Sequence, residues 1–497
     1  MQPRAIQPNG DQILIEERTV CLETELVIGD RRIGSSKGGE LEHIDPATGA
    51  VSKSFALASL DELDEAVAAA RAAFQEWRRW TPDARRDVLF KLAGMLEARG
   101  EELGTILALE GGQPFSPMAG WYPSLWFRYY AGWADKLTGE RINAYPLPGV
   151  DFTAPEPIGV VGLFVASNGP LGFCAMGGAP ALAAGCCLVI KSPEIAPFSA
   201  LTFGRLCLEA GIPPGVVNVV NGGPDIGHAM ASHPGIDKIS FTGGVATARK
   251  LAAACASTLK PMVLELGGKS ANIVFDDADL EQVIPQAARW TFNAGQGCTM
   301  PTRLLVERNR YHEVIGGVAD LVGKVVIGRP FDPGVTMGPV ITEAAANRIL
   351  KIVRDAKSSG AGTVIMGGNR VGGDLAAGFF VEPTMLVDVD NTSTIAQTEI
   401  FGPVLCVIPF DDEDEAVALA NDTQYGLAAY AHTQDMARAR RLVDSLTAGS
   451  VQINSTGPVS LSPAAPFGGM KQSGYGRQGS RLGIEEFLSI KNVYLNF

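Results

Sequence analysis

The 497-residue sequence has no Cys-x-x-Cys pair among its eight cysteines and no cluster among its five histidines. Thiols scattered at 21, 174, 186, 187, 207, 255, 298 and 406 predict reduced cysteines rather than a disulfide framework, and no structural metal. Lys/Arg runs are missing too and the formal net charge is −13, which leaves no electrostatic footprint for nucleic acid. The opening MQPRAIQPNGDQILIEERTV lacks the apolar core of a signal peptide, so export is not indicated and the expected address is the cytoplasm. Charge is absent altogether from Pro157 to Ile190, a stretch long enough to span a membrane. Gly159, Gly169, Pro170, Gly177, Pro180 and Gly185 interrupt it and Asn168 sits in its middle, so it reads instead as a buried strand, turn and helix, with no membrane partner. Fixed-period repeats and low-complexity tracts are absent as well, which sets solenoids and flexible linkers aside.

What is present is apolar material for several cores. At 46% hydrophobic and 19% charged residues, the chain offsets its ordering entropy, and its length suggests about three units of roughly 150 residues. Ser59-x-x-Glu62 reads as a capping box opening the helix DELDEAVAAARAAFQEWRRW, and Thr81-Pro82 starts a second helix. From about residue 158, apolar runs (IGVVGLFVA, CCLVIK, VVNVV, KISFTG) alternate with helical ones, the pattern of a parallel, doubly wound, Rossmann-like sheet. After ELGG at 265–268 a second alternation begins: ANIVF, a helix near 279–294, TRLLVE, GTVIMGG, TMLVDV, VLCVIPF and SVQIN. A second α/β domain is expected there. The terminal NVYLNF reads as an edge strand.

No G-x-G-x-x-G follows the first strand, where the turn reads SNGPLG, so a phosphate site must lie elsewhere. The strand-to-helix junction Thr242-Gly243-Gly244 offers free N–H groups and a helix dipole to an anion, although a plain tight turn reads the same way. Lys191 and Glu194 stand at the carboxyl edge of CCLVIK, where doubly wound sheets bind ligands; Glu194 suits two ribose hydroxyls and repels a 2′-phosphate. Cys298 lies in FNAGQGCTMPTR with glycines at 295 and 297 that let backbone approach closely. Glu265, in LELGGK, ends a strand at a turn. Taken singly, each is also an ordinary loop charge or a small buried thiol.

In order and spacing these pieces resemble the NAD(P)-dependent aldehyde dehydrogenase superfamily: Asn168 in a strand–turn, KSPE at 191–194, FTGG at 241–244, ELGGK at 265–269, FNAGQGC at 292–298, EIFGPV at 399–404 and PFGGMKQSGYGR at 466–477. The likeness runs from YYAGWADKLTG at 129–139 to the C-terminus. It implies an NAD-binding domain at 1–138 and 158–267, a catalytic domain at 268–465, and a small β oligomerisation arm at 139–157 and 482–497 that builds a homodimer or homotetramer. It implies that Cys298 attacks an aldehyde as a thiolate, that the Asn168 amide and the Cys298 N–H form an oxyanion hole, and that Glu265 activates the water that releases the acid. Lys191 and Glu194 match the family's adenosine-ribose contacts, Gly243 and Gly244 its pyrophosphate turn, Glu399 its nicotinamide-ribose contact, and Phe401 packs near the nicotinamide. With Glu194 present, NAD is expected over NADP.

Four departures mark this chain. The usual Pro-Trp-Asn is Ala166-Ser167-Asn168. The usual FTGS ends in Gly244. Arg481 takes the place of a second glutamate used by the family in proton relay. Gly169 stands where a large aromatic is common, with Phe173 and Met176 after it on one helix; with Gly297 and Thr299 these line the expected substrate pocket, wide and apolar, suited to a bulky, hydrophobic or aromatic aldehyde. Trp121, Tyr122 and Trp126 read as packing at helical spacing, or as the mouth of that pocket. Two rival chemistries use the same thiol: a CoA-acylating aldehyde dehydrogenase, a branch that generally lacks the Glu265 counterpart, and a Cys-dependent thioesterase without redox chemistry, which the lack of a motif histidine disfavours.

Overall fold

A computed structural model describes residues 12–15, 18–455 and 462–496. The first eleven residues of the opening segment and of the expected first domain, residues 456–461 within the expected second domain, and Phe497 at the end of the expected arm lie outside the described residues.

The uncharged stretch folds as the strand Val160–Phe164, the helix Pro170–Ala184 and the strand Cys187–Ser192. Its strands from Val160 to Phe164 and Cys187 to Ile190 and most of the helix between them are buried, where charge would be costly. No helix among the described residues is long and apolar enough to cross a membrane. The central strands of this sheet run parallel in the order Met262–Leu266, Lys238–Gly243, Val160–Phe164, Cys187–Ser192, Val217–Asn221. Antiparallel strands close both edges: Leu26–Ile28 with Arg31–Ile33 on one side, and Gly474–Tyr475 on the other. The two early helices fall at Leu60–Trp77, with the capping box formed, and Pro82–Ala98.

A second sheet has seven strands in the order Thr363–Met366, Thr384–Val387, Val404–Phe410, Arg303–Glu307, Ala271–Val274, Ala428–His432, Ser450–Ile453. All its pairings are parallel except that of the first two strands. Each sheet carries its own apolar core. The last parallel strand of the first sheet, Met262–Leu266, and the first strand of the second, Ala271–Val274, are joined by only four residues, 267–270. That crossing positions the site.

A third, small sheet joins Arg141–Ile142, Val150–Pro157 and Leu488–Leu495, with the last as an open edge. Ile490, Tyr494 and Leu495 on it, and Tyr145 and Leu147 beside it, are exposed.

Three elements depart from the sequence expectation. The helix near 279–294 ends at Ala287, and a 3-10 turn, Arg289–Gly295, replaces its last part. The strand Ala428–His432, in the run YGLAAYAH, has no motif to announce it. The N-terminal hairpin Glu40–Ile44 with Val51–Ala56 is too polar for hydrophobic alternation to mark.

Candidate active site

Glu265 belongs to a strand whose five residues are all buried. In its parallel register Thr242 faces Glu265 and Gly243 faces Leu266, so the FTGG turn and the carboxylate share the carboxyl edge of the sheet. On its other side Gly474 pairs with it. Gly474 has φ +115°, and a Cβ there would stand 1.9 Å from the Leu264 carbonyl oxygen, so glycine is required. Glu265 is 2% exposed and its Oε1 has no hydrogen-bond partner. Burial lifts its pKa well above the usual carboxylate range, against the opposing pull of Arg477.

Cys298 follows the 3-10 turn. There the backbone is extended at Phe292 and then left-handed at Asn293, Ala294 and Gly295, with φ of 47°, 49° and 72°. Two non-glycine residues in that region cost about 1–2 kcal/mol each, so the surroundings must hold them. Gln296, 4% exposed, does so: its Nε2 donates to the carbonyls of Asn293 (3.1 Å) and Pro339 (3.4 Å), and its Oε1 accepts from the Ile341 N–H at 2.9 Å. The Gln296 carbonyl accepts from Asn168 Nδ2 at 3.1 Å. One N–H of the Asn168 amide is thereby fixed to the peptide chain leading into Cys298, and a second remains for another acceptor.

The crossing brings these parts together. A Cβ on Gly267 would lie 1.9 Å from Glu399 Oε2, and one on Gly268 would lie 2.6 Å from the Cys298 carbonyl oxygen. The Gly268 N–H donates to Glu399 Oε1 at 3.2 Å. Burial pushes the Glu399 carboxyl up to about 7, although the Gly268 N–H, Lys269 and Arg348 all favour its charge. Burial, and then the charges of Glu265 and Glu399, push the Cys298 thiol far above its ordinary value. Burial thus opposes charge on all three groups.

Lys191 Nζ and Glu194 Oε2 pair at 3.2 Å at the end of the strand Cys187–Ser192. Gly244 is the N-cap of the helix Val245–Ala256, makes no side-chain cap bond, and has open space where a Cβ would stand. Unpaired helix N–H groups facing free space at the carboxyl edge suit a dinucleotide's phosphates. Phe401, left-handed at φ 52°, follows Ile400, whose carbonyl accepts from Arg348 Nη2 at 2.7 Å.

The φ of Gly169, 176°, is ordinary extended backbone, and the nearest atom to where its Cβ would stand is Phe173 Cε2 at 3.9 Å, an ordinary contact distance. Met300 packs over Gly297, its Cε 2.8 Å from the corresponding position there. The carbonyl of Thr299 accepts from Tyr430 Oη at 3.0 Å. Among the three aromatics, Trp126 is 2% exposed and packs, and Trp121 is exposed. Tyr122 reaches the pocket: its ring lies over Gly172, its hydroxyl donates to Met176 Sδ at 3.4 Å, and burial, with a contribution from Cys298, pushes its pKa up to about 12.

Arg481 is not beside Glu265. Its side chain is 66% exposed and pairs with Glu485 at 2.6 Å one helical turn on. The cation acting on Glu265 is Arg477, from the GYGR run. Sequence reasoning missed that role, and those of Gln296 and Arg348.

Behind Asn168 lies a recess with room for about one water-sized body, lined in part by Glu110, Gln113, Asn293 and Gln296. Glu110 is fully buried; its Oε2 accepts the N–H groups of Phe198 (2.8 Å) and Ser199 (3.0 Å), and burial pushes its pKa up to about 7 from 4.5.

A family model described as the aldehyde dehydrogenase family matches residues 33–493. An aldehyde dehydrogenase of Emericella nidulans is 40% identical over 94% of this chain and 94% of its own. The mitochondrial succinate-semialdehyde dehydrogenase of Arabidopsis thaliana is 39% identical over 95% and 89%. The NAD+ complex of a Bacillus cereus aldehyde dehydrogenase superposes with a TM-score of 0.92 at 36% identity, covering 95% of this chain and 96% of that one.

Between about pH 4.5 and 7 the folded chain keeps a proton on Glu110 that the unfolded chain has lost, so this group's stabilisation is full below that window and falls through it by about 1.4 kcal/mol per pH unit. Glu110→Gln keeps the acceptor and removes the titration. The Tm of this variant is expected to gain on that of the unsubstituted protein steadily from about pH 5 to about pH 7; a constant difference across that range would contradict the assignment.

Proposed function

The chain belongs to the aldehyde dehydrogenase family and is an oxidoreductase acting on aldehydes; within that family we propose that it forms a thioester on Cys298 and hydrolyses it to the carboxylic acid. The observation that carries this reading is the convergence of Cys298, Glu265 and Glu399 on the crossing 267–270, with the Asn168 amide fixed alongside.

Cys298 Sγ gives its proton to the ionised form of Glu265, which passes it on to solvent, and attacks the aldehyde carbon, giving a tetrahedral thiohemiacetal. The oxygen that becomes negative is met by the free N–H of Asn168 and the Cys298 backbone N–H. Lys191, Glu194, Gly243, Gly244, Glu399 and Phe401 fit a nicotinamide dinucleotide, which when bound accepts the hydride. Glu265, a base strong in proportion to its raised pKa, then takes a proton from water, which attacks the thioester and releases the acid. The carboxyl–water step separates this reading from a CoA-acylating one. Support for NAD over NADP comes from Glu194, whose charge repels a 2′-phosphate, and from the NAD+ complex of the Bacillus cereus relative.

The substrate reading is a bulky, apolar or aromatic aldehyde, since Phe173, Met176 and the face of Tyr122 offer no charge to a carboxylate or ammonium group. The open strand Leu488–Leu495, with its exposed apolar side chains, supports self-association into a dimer or tetramer.

Three outcomes are expected. Cys298→Ser abolishes turnover, whereas Glu265→Gln keeps a rapid first hydride transfer and slows acid release; loss of both together in Glu265→Gln would remove the base assignment. In a panel run with each dinucleotide, kcat/KM for benzaldehyde-sized substrates with NAD exceeds that for acetaldehyde and succinic semialdehyde, and exceeds the NADP value; parity with acetaldehyde would end the substrate reading. Sedimentation gives a mass at least twice that of one chain, and a monomer at every concentration would end the assembly reading.

A further inference from the structure

The loop that carries Glu399 and Phe401 is gripped by a helix that no motif marks. Arg348 and Ile349 are neighbours on the helix Glu343–Ser359. Arg348 Nη2 donates to the Ile400 carbonyl at 2.7 Å, and the fully buried Ile349 side chain fills the space that a Cβ on Gly402 would need. From the other side the Cys298 loop closes in, since a Cβ on Gly295 would meet the Gly402 carbonyl. Phe401 lies between the two held residues and keeps a left-handed backbone at φ 52°. That conformation is costly for a residue with a Cβ and persists where the surroundings fix it.

Arg348 also bears on the carboxylate one residue back along that loop. Besides this helix, three elements face Glu399: the crossing, with the Gly268 N–H and Lys269; the loop of Cys298; and the segment before the strand Ala428–His432, with Tyr425. Burial raises the Cys298 thiol and the Tyr425 phenol, so neither adds charge near pH 7. Against the burial that pushes the Glu399 carboxyl up to about 7 stand the Gly268 N–H, Lys269 and Arg348. The two cations differ. Lys269 is 1% exposed and burial disfavours its charge. Burial lowers the exposed Arg348 as well, but from a far higher starting point, and a guanidinium stays charged wherever carboxyls titrate. A ribose presents hydroxyl donors, and a charged carboxylate accepts from them more strongly than a neutral carboxyl does.

We propose that Arg348 is a positioning residue for the dinucleotide: it holds the loop 399–402 by the Ile400 carbonyl and supplies the permanent cation beside which Glu399 meets the ribose as a carboxylate. This rests on the reading of Glu399 as a ribose contact. The affinity for the dinucleotide then rises with pH as Glu399 loses its proton, and Arg348 sets the pH at which it does so.

Calorimetric titration of the full chain with NAD+, without aldehyde and from pH 5.5 to 9, tests this. In the unsubstituted protein affinity is expected to rise with pH through a midpoint near 7. Arg348→Gln moves that midpoint up by about 0.5–1 pH unit, so that its binding is weakened about 3- to 8-fold more at pH 6.5 than at pH 9. Arg348→Lys keeps the charge and restores most of the midpoint. Both variants place a good helix former at an exposed position, so the fold stands. Glu399→Gln removes the rise with pH; a rise that survives there removes the ribose reading and the proposal with it. Where Glu399→Gln is flat, an unshifted midpoint in Arg348→Gln, a loss equal at every pH, or the same shift in Arg348→Lys overturns the proposal and leaves the ribose reading in place.

Discussion

Everything in the site leans on two glycines. At Gly267 a methyl group would occupy the space of the Glu399 carboxylate, and at Gly268 it would meet the carbonyl of Cys298. Four residues span the gap between the sheets, so there is no slack by which a bulkier residue can be accommodated. The bare backbone lets a carboxylate and the cysteine loop press on it from the second sheet's side while Glu265 closes in along the strand that precedes it. Without that contact Cys298, Glu265 and Glu399 would belong to separate neighbourhoods.

The same closeness sets the protonation of the site. Glu265, Glu399 and Cys298 are buried acids; burial raises each, and the two carboxylate charges further oppose ionisation of the thiol. A thiol whose ionisation is opposed reacts less readily with chance electrophiles, and a carboxyl whose pKa is raised becomes a stronger base once it is deprotonated. Protection and reactivity thus come from one electrostatic arrangement.

Much of this was legible in the chain because sterically forced positions leave motifs. Gly267, Gly268, Gly295 and Gly474 are glycines for reasons of contact, and they sit inside the runs ELGGK, FNAGQGC and SGYGR that pointed to the site. The parallel strands were legible because strands buried on both faces carry no polar alternation. Other features leave no local trace. Asn293 and Ala294 adopt left-handed backbone without a glycine to announce it, held by Gln296 and the segment at 339–341, forty residues away in sequence. Arg481 looked like the relay position by order along the chain, but a helical turn sends it outward to Glu485 and leaves Arg477 as the cation that Glu265 feels. Order along a segment does not give the direction of a side chain.

The surroundings of Gly169 are set by packing from more than one element. Phe173, one turn along the helix that begins at Pro170, supplies the atom nearest its Cβ position, and Tyr122 covers Gly172 from a different helix. What space a small residue leaves there depends on these side chains as well as on the glycine. The polarity of that space is likewise set by Tyr122, whose hydroxyl has only a thioether to donate to. A thioether is a weak acceptor, so that hydroxyl has more to gain from an oxygen than from its present partner.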